Sequence, residues 1–255
     1  MATTGTNTEP LQAESGGNGG APSGPPPVAT RHDHQGVIVT SIERPASELV
    51  ASYRALYTGL VLDHLGKHGC MTPDVKPVWS GASLCGPAIT CLGADWRIRS
   101  MAADLAEPGD VIVLAAGGVT ECACFGDMTA TCWQSKGIEG VVIDGASRDV
   151  ARLRALGFPV FAREVTPRNY HYPAGLDHGA INVPVVCGGV LVEPGDIVIG
   201  DDDGVVVVPR RIAKEIAAAA SAYLEQENAG RAMFKKQYVS FGVQEELKGR
   251  GYRFV

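Results

Sequence analysis

From residue 96 to residue 165 the chain alternates between stretches that read as helix and stretches that read as buried strand. "WRIRSMAADLA" is helical, "PGD" turns, and "VIVLAAGG" is an apolar strand ending in glycines. Helix "MTATCWQSKG", strand "GVVIDG", helix "RDVARLRALG" and strand "PVFARE" follow. Strands this apolar have no face for solvent, and the helices between them are long enough to cross over a sheet. The pattern therefore predicts an α/β fold with a parallel-sheet core.

The flanks extend that plan. "GVIVTSI" and "ASLCGPAITCLG" read as strands, the second with a Gly-Pro interruption, and "PASELVASYRALYTGLVLDHLGKHG" reads as one helix opened by its Pro-Ala-Ser-Glu start. After the alternating region comes "INVPVVCGGVLVEPGDIVIGDDDGVVVVP", strands split by Pro-Gly and Asp-Gly turns with no room for helices. A long helix from about Arg210 to Lys235 and a short terminal helix in "VQEELKGRG" complete the chain. The expected architecture is an α/β core, an all-strand layer, and a helical arm (about 210–255) placed to pack on a neighbouring subunit.

Residues 1–35 stand apart. They are Gly, Pro, Ser and Thr with almost no large apolar side chain, so they bury too little to offset the entropy of ordering. They are expected to be a disordered tail, with residues 36–255 forming one domain. The tail lacks the apolar run of a signal peptide, and no later stretch reaches the ~18 apolar residues of a membrane span. A formal net charge of −6 leaves no basic stripe for nucleic acid. Seven cysteines, an odd number and several in apolar runs, read as reduced core residues. These features together suggest a soluble, cytoplasmic protein with no nucleic-acid or membrane partner.

Chemistry concentrates in "FGDMTATCWQSKGIEGVVIDGASRDVARL". Gly126-Asp127 precede one helix, and Arg148-Asp149 open the next. Both loops are at strand C-terminal ends, where open α/β sheets bind ligands. Free N–H groups at the first helix start would face an anion, and a guanidinium beside them could hold a carboxylate bidentately. Two Asp side chains with waters suit Mg²⁺ or Mn²⁺. The competing reading is that Asp127 and Asp149 cap their helices and Arg148 pairs with one of them. "GDDDGVVVVP" reads as a hairpin turn rather than a metal site, and "CAC" at 122–124 lacks zinc-ligand partners. "HDH" at 32–34 is incidental to the tail. "NYHYPAG" at 169–175 could line a pocket or be a surface turn. Arg97 and Arg99 sit at a helix start, against the helix dipole, which hints at an acidic ligand.

Asp127, then 20 residues, then Arg148-Asp149 resembles the signature of class II pyruvate aldolases, whose type members cleave 4-hydroxy-4-methyl-2-oxoglutarate and 4-carboxy-4-hydroxy-2-oxoadipate. The wider family includes the regulator of ribonuclease E activity. The resemblance runs from about Val37 to Val255 and includes "CGPAITC", "NVPVVCGGVLVEPGDIVIGDDDGVVVVP" and "EELKGRGYRFV". It implies a swivelling β/β/α domain in homotrimers or homohexamers. It also implies Asp149 as direct metal ligand, Arg148 on the pyruvoyl oxygens, and Asp127 holding a water on the metal. Gly126, Asp127, Met128 and Thr129 would bind the substrate carboxylate through backbone N–H groups. Glu227 matches a Glu that reaches the metal waters of an adjacent subunit. The implied reaction is aldol cleavage of a 4-hydroxy-2-oxo di- or tricarboxylic acid to pyruvate and a second oxo acid, with oxaloacetate decarboxylation as a side activity. Related aldolases carry Asp-Asn-Trp where this chain reads Ala94-Asp95-Trp96, and a His near Arg99, so the distal part of the substrate is left open. A lyase or decarboxylase acting on another 2-oxo acid and a non-catalytic regulatory ring are the alternatives. A complete set of Asp127, Arg148, Asp149 and Glu227 favours an enzyme.

Overall fold

The computed structural model describes residues 35–169, 179–238 and 240–255. The expected N-terminal tail, with its His-Asp-His, and most of the 169–175 loop lie outside the described residues. In chain order the elements are α1 (Ser47–Tyr53), α2 (Thr58–His64), β1 (Lys76–Pro77), β2 (Leu84–Leu92), α3 (Trp96–Leu105), β3 (Val111–Phe125), α4 (Asp127–Ser135), β4 (Gly140–Ser147), α5 (Val150–Leu156) and β5 (Val160–Val165). Then come β6 (Ala180–Ile181), β7 (Val185–Cys187), β8 (Val190–Val192), β9 (Ile197–Asp201), β10 (Gly204–Val208), a 3-10 turn (Arg210–Ile212), α6 (Ala213–Phe234) and α7 (Gln244–Gly249).

The sheet runs β1-β5-β4-β3-β2-β9-β10, with β6 also on β2. Strands β2 to β5 pair in parallel, as the crossover helices require. Burial follows the pleat. Ile112 and Leu114 pack with Ala102, Ala130, Trp133 and Leu153 of the helix layer. Val111, Val113 and Ala115 point the other way, onto Val183, Val185, Cys187, Val205 and Val207. The second layer repeats the device: Val206 and Val208 leave that core and meet Tyr53, Leu60, Val61, Ala213 and Ala217. Each such buried aliphatic is worth roughly 1.5–3 kcal/mol, so the alternating positions fix which face of each strand points inward. The α/β plan with its added strand layer holds. No helix among the described residues is long and apolar enough to cross a membrane.

Local readings fail where distant groups intervene. The single helix expected over 45–69 is two helices. Asp201, at the end of β9, accepts from Thr58 N at 2.8 Å and Thr58 Oγ1 at 2.7 Å, starting a new helix there. Tyr53 donates its hydroxyl to Ala213 O at 2.6 Å, anchoring the first. The strand expected at 36–42 is reduced to a bridge between Ile38 and Ile181. Gly86-Pro87 does not interrupt β2. Leu84–Pro87 pair with β9, and from Ala88 onward the strand pairs with β3. A side chain at Gly86 would meet Gly109 O at 2.1 Å, so only glycine fits the handover. The Asp202-Asp203 turn of the β9-β10 hairpin is as expected.

The arm is tied to the body along the first part of α6, through its buried alanines and the Tyr57–Glu227 hydrogen bond, and its far end is exposed. Ala213, Ala217 and Ala220 of α6 are buried, whereas Tyr223, Phe234, Tyr238, Phe241, Tyr252 and Phe254 are exposed.

Candidate active site

Strand β3 was expected to stop at Gly117-Gly118. Instead those glycines, both at φ +74°, shift its register against β4 and the strand continues to Phe125. Phe125 is buried against Trp133 of α4, ring centroids 5.0 Å apart, and against Phe158 at 6.1 Å. This aromatic packing fixes the start of α4 beside the end of β4. Arg148 N donates to Phe125 O at 3.0 Å, joining the two loops.

A cleft of about 80 Å³ opens there, lined by Arg99, Cys124, Phe125, Gly126, Asp127, Met128, Thr129, Arg148, Asp149 and Asn169. The structure thus brings together every residue named from the two loops. Asp149 sits at the N-cap position of α5 but makes no side-chain bond to that helix. Its backbone is left-handed, φ 65° and ψ 33°, a conformation that costs a non-glycine residue on the order of 1 kcal/mol or more. The result is that Asp149 Oδ2 faces the other loop, accepting from Asp127 N at 3.3 Å with Arg148 Nε 3.3 Å away. Gly126 makes room for this: a Cβ there would lie 2.4 Å from Asp149 Oδ2 and 3.1 Å from Arg148 Cγ. Simple helix capping therefore does not account for Asp149.

Asp127 makes no cap either. Its Oδ2 meets Arg152 Nη1 at 3.2 Å, a partner one turn along α5 that charge patterning alone could have flagged. Gly126 gives α4 no side-chain cap: the first N–H, that of Asp127, goes to Asp149, and the next N–H groups, on Met128 and Thr129, belong to residues that line the cleft. Cys124 is no nucleophile here, since burial pushes its thiol up to about 11. The two arginines of "DWRIR" part company. Arg97 is held by Asp95, through Nη2 to Oδ2 at 2.6 Å, and holds that carboxyl below its usual range. Arg99 goes to the cleft. Asn169 joins it from the "NYHYPAG" loop, tied to Ala123 by a strand bridge. Asp144, which the sequence places at the end of β4, turns away to an ion pair with Arg163.

Among the described residues no three His, Cys, Asp or Glu side chains come together. The donor set here is one carboxylate aimed into the cleft and a second beside it. That fits a hard divalent ion that keeps most of its waters, and does not fit a closed zinc site. Glu227 is not in this cleft within the chain. It accepts from the Tyr57 hydroxyl at 2.5 Å and from Arg231 at 3.1 Å, which together hold its carboxyl below the usual range.

The sequence pattern of the RraA-like family, described as Aldolase/RraA, matches residues 58–207, more than half of the chain. The chain belongs to that family. A relative from Halalkalibacterium halodurans, provisionally named a 4-hydroxy-4-methyl-2-oxoglutarate aldolase, is 36% identical over 165 residues, covering 64% of this chain and 77% of the relative. A Shewanella oneidensis protein with the same provisional name is 37% identical over 152 residues, covering 58% and 89%. Among solved structures, Streptomyces coelicolor RraAS2, described as an unusual member of the RNase ES inhibitor RraA protein family, superposes with a TM-score of 0.65 at 34% identity. That match covers 75% of this chain and 99% of the other. The RraA-like α/β fold is thereby shown. The relatives' names point both to an aldolase and to an RNase inhibitor.

Proposed function

We propose that this RraA-like protein is a carbon–carbon lyase that cleaves a 4-hydroxy-2-oxo acid between C3 and C4 to pyruvate and a second oxo acid. The observation that carries the reading is the left-handed Asp149, held at a backbone cost with its carboxylate directed across Gly126 at the start of α4.

Asp149 would hold Mg²⁺ or Mn²⁺ directly, with Asp127 reaching it through water, and the ion would supply Lewis-acid stabilisation of the pyruvate enolate. The chain does the rest. Backbone N–H groups of Gly126, Asp127, Met128 and Thr129 receive the substrate carboxylate. Arg148 places its guanidinium on the pyruvoyl oxygens, where negative charge grows. A water held by Asp127 removes the C4 hydroxyl proton, the C3–C4 electron pair passes to the enolate, and the second oxo acid departs. The same water then returns a proton to C3. Oxaloacetate, whose decarboxylation leaves the same enolate, should be turned over as well.

The exposed aromatic arm fits a homotrimer or homohexamer in which Glu227 completes the site of an adjacent subunit. If so, subunits carrying Asp149→Ala and subunits carrying Glu227→Ala, each inactive alone, regain activity when co-assembled. Verified mixed rings without recovery would remove Glu227 from the shared site.

The reading is tested by measuring pyruvate release from a panel of 4-hydroxy-2-oxo acids and from oxaloacetate, with Mg²⁺ or Mn²⁺. No release from any of them would count against an enzyme and favour the regulator reading, which the likeness to Streptomyces coelicolor RraAS2 supports. Gly126→Ala probes the geometry. The added Cβ must push Asp149 aside, and a displacement near 1 Å at a reacting centre costs about 10²-fold in turnover. The extended backbone of Gly126, φ −162°, accepts alanine, so thermal stability should change little. Full turnover in the alanine variant would show that the Asp149 position is immaterial.

A further inference from the structure

We propose that Arg152 is a positioning residue for the proton transfer: it holds the Asp127 carboxylate by one oxygen and leaves the other for the water that takes the C4 hydroxyl proton. The proposal rests on the aldolase reading and adds to it a residue that does not itself line the cleft.

Arg152 N donates to Asp149 O at 2.9 Å in the first turn of α5, and Arg152 Nη1 donates to Asp127 Oδ2 at 3.2 Å. One residue thus spans the two acids of the cleft, bonded by its backbone to the loop of Asp149 and by its side chain to the start of α4. Asp127 has no second anchor. Among the described residues no other side chain bonds its carboxylate, and its Oδ1 has no protein partner. The two members of the pair stand in different surroundings. The Asp127 side chain is 19% exposed and lines the cleft, whereas that of Arg152 is 78% exposed and lies outside it. The guanidinium therefore reaches the acid from the solvent side and leaves the cleft free for substrate.

An aspartate carboxylate swings about two single bonds, so an unheld one divides its time among several positions. A group that must hold water against a reacting hydroxyl loses rate steeply when it is misplaced by about 1 Å. The competing account is a surface tie between α4 and α5. A tie acts on folding, and so on every reaction alike. A positioning residue acts on the reaction that needs the base. Aldol cleavage needs the C4 hydroxyl proton removed as the C3–C4 bond breaks. Decarboxylation of oxaloacetate breaks C3–C4 as well, with carbon dioxide leaving, and has no hydroxyl proton to remove.

The test compares wild type with Arg152→Ala on 4-hydroxy-2-oxoglutarate and on oxaloacetate, both in Mg²⁺, and determines the crystal structures of the two proteins. In the variant kcat for aldol cleavage should fall about 5-fold, the upper end of what a solvent-exposed ion pair holds. KM should be unchanged, and decarboxylation should fall less than about 2-fold, within the lower range for such a pair. Arg152→Lys should recover part of the aldol loss. In the crystal, Asp127 should lose its single position beside α5. Far-UV circular dichroism establishes that the variants fold, and Arg152→Gln replaces the alanine variant if that one does not. Equal losses on the two substrates, no loss on either, or an Asp127 carboxylate that keeps its place without the guanidinium overturns the proposal. The crystallographic arm needs no turnover. An Asp127 set loose in Arg152→Ala, in a protein whose wild type yields pyruvate from neither substrate, would sink the aldolase reading and leave the hold of Arg152 on Asp127 standing.

Discussion

Stripping the protein of divalent metal should abolish pyruvate release, and adding back Mg²⁺ or Mn²⁺ should restore it. The physical ground is the thinness of the donor set. Among the described residues no group of three acids, histidines or cysteines comes together, so on the proposed reading Asp149 alone would hold the ion directly, and an ion held by one carboxylate and several waters dissociates readily. Asp149→Asn is the matching substitution. Asparagine also tolerates the left-handed backbone, so the turn at φ 65° and the packing of α5 should survive. What is lost is the charge. Turnover should fall by about 10³-fold, the upper range for removing a group that stabilises developing charge, and equilibrium dialysis should show weaker Mn²⁺ binding. Thermal stability should change little, because what is weakened is two long contacts of a partly exposed side chain, 3.3 Å to Asp127 N and 3.3 Å to Arg148 Nε. Full activity after verified metal removal would end the mechanism proposed for this cleft. A large fall in stability with activity preserved would instead return Asp149 to a structural role.

Arg148→Lys should lower kcat by ~10²-fold or more while leaving the protein folded. A lysine keeps the charge but presents a point donor where the guanidinium presents a planar fork, so it cannot address two oxygens at once. The loss corresponds to about 3 kcal/mol of barrier, typical of one preorganised donor. Folding should tolerate the change. The structural tie at this position is the backbone bond from Arg148 N to Phe125 O, which any residue makes, and the side chain is 39% exposed. If kcat on a confirmed substrate is untouched, Arg148 only pairs with Asp149. Both substitutions separate chemistry from scaffold, which is possible because the site is built on strand ends and helix starts whose packing lies behind it, on Phe125, Trp133 and Phe158.

The sequence by itself determined the parallel core. Apolar runs at 111–114, 141–143 and 160–162 have no solvent face, and the helices between them can only be crossovers. It also determined that Asp127, Arg148 and Asp149 lie on adjacent loops at one end of that sheet, since parallel neighbours bring their C-terminal ends together. The Asp-Gly hairpin was legible for a similar reason, because two β-branched runs around such a turn can pair only with each other.

Tertiary structure decided the rest, in each case through groups far apart in the chain. Helical periodicity runs unbroken through residues 47–64, and only the carboxylate of Asp201, from the other layer, breaks it at Thr58. Glycines at 117 and 118 look like a strand end. The continuing pairing of Val119, Ala123 and Phe125 with β4 makes them a register shift instead. Periodicity could not say which arginine of the "DWRIR" stretch faces a ligand. Asp95, two residues away, captures Arg97 through its backbone N and its guanidinium, and Arg99 lines the cleft. Nor could spacing show that Asp149 abandons its own helix. A residue's side-chain direction follows from φ and ψ, and those were set here by the empty space over Gly126, which exists only once the two loops have met.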